Sequence, residues 1–193
     1  MFIYPSSYRK LKRGPQVILP KDIGTIIVMS GIDRNSVCVD AGTGSGWLAV
    51  SLARLCSHVY SYDTRPEFTA IAEKNRIIWN LSNVTFKNGD VTRKIEERDV
   101  DLVCLDLPSS EKALGNAKKA LRPGGTVVGY LPHVEQVKKF VYKLNKLGFT
   151  DIYTVETVVR DFLVREEGTR PSTKGIWHTG YMTFARKRQE QVD

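Results

Sequence analysis

Val37-Cys38-Val39-Asp40-Ala41-Gly42-Thr43-Gly44-Ser45-Gly46 runs from a β-branched, apolar strand into an acid and three alternating glycines. An apolar segment, Trp47-Leu48-Ala49-Val50, follows at once. The order reads as strand, tight turn and helix start. Glycines lack Cβ, so the chain turns sharply there and comes close to a bound molecule, while the first helical turn offers unpaired N–H groups at the same place. A nucleotide-type cofactor pocket at the carboxyl end of a strand is the expected product.

The spacing narrows the ligand. A dinucleotide fingerprint needs its last glycine one residue beyond Gly46, and a phosphate-binding P-loop needs Lys-Ser/Thr after its last glycine. Trp47 and Leu48 stand there instead. The D-x-G-x-G-x-G form resembles motif I of the class I S-adenosylmethionine-dependent methyltransferases, the alternative being a plain strand-to-helix turn. Asp63 closes the alternating run Val59-Tyr60-Ser61-Tyr62-Asp63, 21 positions after Gly42. That is close to the offset of about 20 at which an acid takes ribose hydroxyls. Capping the helix that begins near Pro66 is its other, compatible role. Asp90, in Phe86-Lys87-Asn88-Gly89-Asp90, either holds an adenine amino group or makes an ordinary Asn-Gly-Asp turn.

Composition fits one domain with a full core: 193 residues, 41% of them hydrophobic. The 29 Lys+Arg against 21 Asp+Glu give a formal charge of +8, which favours a polyanion such as RNA. Arg9, Lys10, Lys12, Arg13 and Lys21 crowd near the N-terminus as candidate phosphate contacts. Cys38, Cys56 and Cys104 follow no metal spacing, so no metal is expected, and they read as buried thiols in a reducing compartment. No apolar stretch reaches the roughly 18 residues of a membrane span and no secretory signal opens the chain, so the expectation is a cytoplasmic protein without a membrane.

Periodicity predicts helices over 21–30, 45–55, 66–80, 111–121 and 133–147, and strands over 36–41, 58–63, 83–88, 100–106 and 126–131. Arg122-Pro123-Gly124-Gly125 reads as the turn before the last of these strands. Two further β segments, 149–159 and 181–186, flank a charged, turn-rich loop and form an antiparallel, hairpin-like addition. The alternation predicts an α/β fold, Rossmann-like, with a mostly parallel sheet, helices on both faces and a C-terminal antiparallel strand pair. A short arm, 1–13, precedes the catalytic domain, 14–187, and a charged tail, 188–193, follows it. Asp40, Asp63, Asp90 and Asp106 all fall at strand carboxyl ends, where an open sheet binds ligands. Leu105-Asp106-Leu107-Pro108 sets an acid where a cofactor's reacting group emerges. The proline stiffens that turn and leaves neighbouring carbonyls available. Asp106 either accepts a hydrogen bond from the exocyclic amine of an adenine and stabilises charge developing at N1, or caps the turn.

These residues, with Arg13-Gly14-Pro15-Gln16-Val17-Ile18-Leu19-Pro20-Lys21-Asp22, Arg170-Pro171-Ser172-Thr173 and His178-Thr179-Gly180-Tyr181, resemble the tRNA (adenine-N1)-methyltransferases that modify position 58 in the T-loop, archaeal members above all. The resemblance covers about 13–187. It implies seven strands, S-adenosylmethionine as donor and a homotetramer. It makes Asp106 the catalytic acid, also in contact with the cofactor. It assigns cofactor contacts to Gln16, Asp40, Gly42, Thr43, Gly44, Ser45, Gly46, Asp63 and Asp90, and places Arg170, Thr173, His178 and Thr179 near the target base or RNA. Two departures stand out. Family members usually carry a small β-rich N-terminal domain that helps hold tRNA, which is expected to be lacking here or supplied by a separate tRNA-binding subunit. Leu19 stands where a Tyr or His often lies near the base. The alternatives are a precorrin-type small-molecule methyltransferase and a non-catalytic tRNA-binding partner subunit.

Overall fold

The computed structural model describes residues 4–14 and 16–189. The first three positions of the arm, Pro15 of the Arg-Gly-Pro-Gln motif and residues 190–193 of the tail therefore lie outside the described residues. Five parallel strands carry the nucleus of the sheet: β1 (Val37–Ala41), β2 (His58–Asp63), β3 (Val84–Asn88), β4 (Val100–Leu105) and β5 (Leu121–Leu131). Two more, β6 (Phe149–Val155) and β9 (Tyr181–Lys187), complete the seven-stranded order β3-β2-β1-β4-β5-β9-β6. Strand β9 slots between β5 and β6 and runs antiparallel to both. Between β6 and β9 the chain makes a small ribbon, β7 (Phe162–Leu163) against β8 (Arg170–Pro171), within the stretch read from sequence as a loop.

The strands bury both faces, so side chains alternate between two apolar clusters. Cys38, Leu102, Cys104 and Val128 point one way, with helices α1 (Pro20–Ser30) and α2 (Trp47–Ala53) supplying the cover. Val39, Val103, Leu105 and Val127 point the other way, against α4 (Ser110–Ala120) and α5 (Val134–Lys146). Continuous apolar runs are what a parallel sheet covered on both sides requires. Helix α3 (Pro66–Ile78) opens on a proline, whose missing N–H is one the first turn leaves unpaired anyway. Gly31 ends α1 in the left-handed region, at φ +69.

The predicted turn at 122–125 is absorbed into the strand. Leu121 is buried and already pairs with Val100, so β5 begins there, and the Pro-Gly-Gly chemistry survives as a break in the ladder between Val100 and Leu102. Among the described residues of the arm, Leu11 is buried, Tyr8 packs edge-on against Trp47 and Trp79, and its hydroxyl meets Ser51 Oγ at 2.6 Å. The arm is thereby part of the core on the α2 and α3 side. Among the described residues no helix is long and apolar enough to cross a membrane, and the three buried cysteines are free.

Candidate active site

The strand order reverses between β1 and β4, and in such sheets the crevice beyond the carboxyl ends at that point is the ligand site. A cavity of about 490 Å³ opens there. Its walls are the loop after β1 (Asp40, Gly42, Thr43, Gly44, Ser45), the loop after β4 (Asp106, Leu107, Pro108), the end of β5 with the start of α5 (Pro132, His133, Gln136), and Gln16 to Ile18 ahead of α1.

Backbone hydrogen bonds lock the two loops together. The N–H groups of Gly42 and Thr43 donate to the Tyr62 carbonyl at 2.8 and 3.0 Å, and the Asp106 N–H donates to the Ala41 carbonyl at 2.8 Å. This close approach explains Gly42: at φ +96, a Cβ there would sit 2.2 Å from the Asp106 carbonyl oxygen. Gly44, at φ +50, lines the cavity, and a Cβ there would make only ordinary contacts, 3.8 Å from the Gly42 carbonyl oxygen and 4.0 Å from that of Gln16, so its lack of a side chain keeps room in the cavity and avoids the strain of a positive φ. Buried Asn75 in α3 receives the Lys12 N–H at 2.6 Å and donates to the carbonyls of Lys12 and Ser45 at 2.8 and 2.7 Å, tying the arm to the glycine loop. Ser45 Oγ is buried without a protein partner among the described residues.

Three acids converge. Ser61 donates its hydroxyl to buried Asp40 at 2.7 Å. Its single proton being spent there, Thr43 donates in turn to Ser61, also at 2.7 Å. Asp63 accepts from the N–H groups of Gly44 and Arg65, each at 3.0 Å, so it stands behind the glycine loop and caps the turn into α3 at once. Asp106 faces the cavity, and among the described residues no side-chain hydrogen bond reaches its carboxylate. Burial, then the negative charges of Asp40 and Asp63, push its carboxyl up to about 7. Burial also outweighs the Ser61 hydrogen bond at Asp40, and with Asp63 nearby lifts it to about 6. Negative charge this close disfavours ionisation of Asp40 and Asp106, and a cation placed beside them would relieve that.

The fourth acid is elsewhere. Asp90 does not line this cavity; its carboxylate accepts the Thr92 N–H and hydroxyl at 2.9 and 2.7 Å, and it borders a separate depression with Tyr62 and Lys87. The Asn-Gly-Asp turn chemistry describes it. Gly46 is likewise outside the lining: at φ +77 it is the N-cap of α2, and Ala72 of α3 presses on it. Carbonyls near Pro108 are less available than the sequence suggested, because Gln136 Nε2 donates to Pro108 and the Ser110 hydroxyl to Leu105 and Leu107.

On the far side, Arg170 and Thr173 are exposed on and beside the ribbon, and neither lines the cavity. His178 and Thr179 are both engaged: His178 with Glu156 and Pro132, Thr179 with Asp22. Lys21, grouped with the phosphate-facing cations, instead has a side chain only 5% exposed, because Asp22 and the ends of the β6–β9 excursion claim its ammonium. Arg9, Lys10, Lys12 and Arg13 are exposed. Leu19 is buried ahead of α1. Sequence reasoning missed Arg65, Phe68, His133 and Gln136. The last two had a usable signal, since they follow a strand's carboxyl end. Arg65 stacks its guanidinium 4.0 Å above the Phe68 ring at the cavity edge.

The chain is similar to known proteins. A family model for "tRNA methyltransferase complex GCD14 subunit" matches residues 8–176. The chain is 43% identical, over 96% of its length and 76% of the relative's, to the tRNA (adenine(57)-N(1)/adenine(58)-N(1))-methyltransferase TrmI of Methanocaldococcus jannaschii. Among solved structures, an S-adenosylmethionine-dependent O-methyltransferase from Thermotoga maritima superposes with a TM-score of 0.91 at 32% identity, covering 98% of this chain and 74% of that one. The tRNA (m1A58) methyltransferase TrmI from Aquifex aeolicus gives 0.89 at 27% identity, covering 96% and 77%. A precorrin-8w decarboxylase structure, at 22% identity, shares the fold alone. With the matched model spanning most of the chain, this protein belongs to the GCD14 family of tRNA methyltransferase subunits.

Proposed function

We propose that the chain transfers a methyl group from S-adenosylmethionine to N1 of an adenine in the T-loop of tRNA, at the position-58 type of site. The observation that carries this reading is the convergence of the glycine loop, Asp40 and Asp106 on one cavity, with Asp63 bonded to the Gly44 N–H behind that loop, in a chain of this family. The residues fit the donor, a molecule with a sulfonium, an amino-acid end and a ribose. Asp63, whose carboxylate also accepts from Arg65 Nε at 3.2 Å, is read as the contact for the ribose hydroxyls. The unpartnered Ser45 hydroxyl and the glycine-loop backbone suit the amino-acid end, with Gln16 at the rim. When bound, S-adenosylmethionine supplies an activated, electrophilic methyl group.

Asp106 does the rest of the work assigned to this chain. Adenine N1 carries an in-plane lone pair and needs no deprotonation to react, but it gains positive charge, shared with its exocyclic amine, as the new bond forms. Asp106 accepts a hydrogen bond from that amine, orienting the base and stabilising the charge. Its raised pKa fits this role. A cation arriving beside Asp40 and Asp106 lowers the cost of ionising both, so the acceptor is readied by the cofactor itself.

Exposed Arg9, Lys10, Lys12 and Arg13 support contact with RNA phosphates, and Arg170 and Thr173 are read as further contacts. The protein is further read as a cytoplasmic homo-oligomer, a tetramer by family resemblance. Phe162, Val164 and Trp177, each exposed on the β6–β9 excursion, support self-association. Incubation with labelled S-adenosylmethionine and bulk tRNA, followed by nucleoside analysis, tests the reaction. N1-methyladenosine is expected; unlabelled RNA would overturn the reading.

A further inference from the structure

Glu156 and His178 stand at the two roots of the excursion that leaves the sheet after β6 and returns at β9. His178 Nδ1 lies 2.6 Å from Glu156 Oε1, and its Nε2 lies 2.9 Å from the Pro132 carbonyl oxygen. A carboxylate and a carbonyl only accept hydrogen bonds, whereas a neutral imidazole donates through one nitrogen and accepts through the other. Both contacts are satisfied together only when both ring nitrogens carry protons.

The neighbouring residues repeat the tie one step along the chain. Lys21 Nζ donates to the Thr157 carbonyl at 2.6 Å, to Thr179 Oγ1 at 2.8 Å and to Asp22 Oδ1 at 2.7 Å. Thr179 Oγ1 and the Tyr130 hydroxyl donate to Asp22 Oδ2 at 2.8 and 3.1 Å. Gly180 lets the Tyr130 ring lie against the backbone, since a Cβ there would come within 2.8 Å of the ring. The inner tie is buried; the outer tie, through His178, is open to water and can lose its proton. What the outer tie holds is Pro132, a wall of the cavity next to His133.

Resting on the methyltransferase reading, we propose that His178 is a positioning residue: as an imidazolium it clasps Glu156 to Pro132 and holds that wall in its working place, and the wall loosens when the proton is lost. The groups facing His178 are the Glu156 carboxylate after β6, the Pro132 carbonyl after β5, the Lys21 ammonium of α1 with its partner Asp22, and the Tyr181 ring of β9 at 4.9 Å. The Glu156 hydrogen bond, followed by the Pro132 carbonyl, raises the imidazole pKa above its ordinary value despite burial and Lys21. A raised folded pKa means the clasp is complete below the unfolded value of about 6.5 and is lost as pH rises through the folded value.

Two measurements test it. In an NMR titration of the cofactor-free protein, His178 should carry protons on both nitrogens at pH 6.5, titrate above that pH, and move the His133 amide with the same midpoint. A midpoint at or below 6.5, or a neutral tautomer at pH 6.5, would overturn the clasp whether or not tRNA is methylated. In the pH profile of kcat/KM for tRNA, the parent should fall by about tenfold on the alkaline side, and folded His178→Gln should sit at that lower plateau without the limb. An alkaline limb unchanged in His178→Gln would overturn the positioning role. A parent inactive on tRNA would sink the methyltransferase reading while the titration still judges the clasp.

Discussion

The two sides of the cavity are held by different means. On the β1 and β2 side the wall is backbone: the parallel register sets Asp40 beside Ser61, and the Tyr62 carbonyl ties down Gly42 and Thr43. On the β5 side the wall is Pro132, whose carbonyl meets His178, itself paired with Glu156 from across the excursion, while beside them Lys21 reaches Thr157 and Thr179. The first side is fixed once the sheet forms. The second depends on charge. Substitutions in the glycine loop are therefore expected to weaken binding most, while changes on the other side retune the site.

The largest expected effect is at Gly44. A valine there must adopt φ +50, which β-branched residues resist, and its side chain enters the cavity. The parent should bind S-adenosylhomocysteine with at least micromolar affinity, about 8 kcal/mol, and Gly44→Val should bind more than about 100-fold more weakly by calorimetry. Equal affinity would separate the glycine loop from the ligand and remove the contrast between the two sides.

Asn75→Ala should act through the fold instead. It strips partners from the Lys12 N–H and from the carbonyls of Lys12 and Ser45, for a cost of about 3 kcal/mol. In a chain of this size that lowers Tm by roughly 6–12 °C. A loss below about 1 kcal/mol would mean that the arm is not stapled to the glycine loop.

The smallest effect is on stability against pH. Asp40 and Asp106 have folded pKa values of about 6 and 7, above the ordinary carboxylate value. The folded state therefore holds their protons more tightly than the unfolded chain does. Their favourable contribution is complete below about pH 4 and is lost as pH rises through 6 and 7. Urea unfolding of the cofactor-free protein should find Asp106→Asn more stable than the parent at pH 7.5 by about 1 kcal/mol, allowing for solvent screening, with the gap closing at pH 4. A gap that does not change with pH would contradict the acid cluster.

This contrast also explains what could be read in advance. Strand β2 matches its expected span, 58–63, and Asp40, Gly42, Thr43, Gly44, Ser45 and Asp106 meet at the cavity, because their placement follows from local pattern and from the rule for strand ends. Asp90 satisfies the same rule but turns to Thr92, two residues away, a local competitor that strand-end position cannot weigh. Lys21 looked like a surface cation because its partners lie 136 and 158 positions distant. Asn75 gave no signal at all: an asparagine inside a helix pattern reveals its role only when the arm folds over it.

The central claim is that Asp106 acts on charge that arises only as the methyl group moves. Single-turnover rates on tRNA, measured alongside S-adenosylmethionine affinity, test it most directly. Asp106→Asn should bind the cofactor nearly as the parent does and methylate N1 of adenine roughly 100- to 1000-fold more slowly, the loss seen when one preorganised electrostatic partner is removed. A rate within threefold of the parent would leave Asp106 as a turn residue and contradict the account.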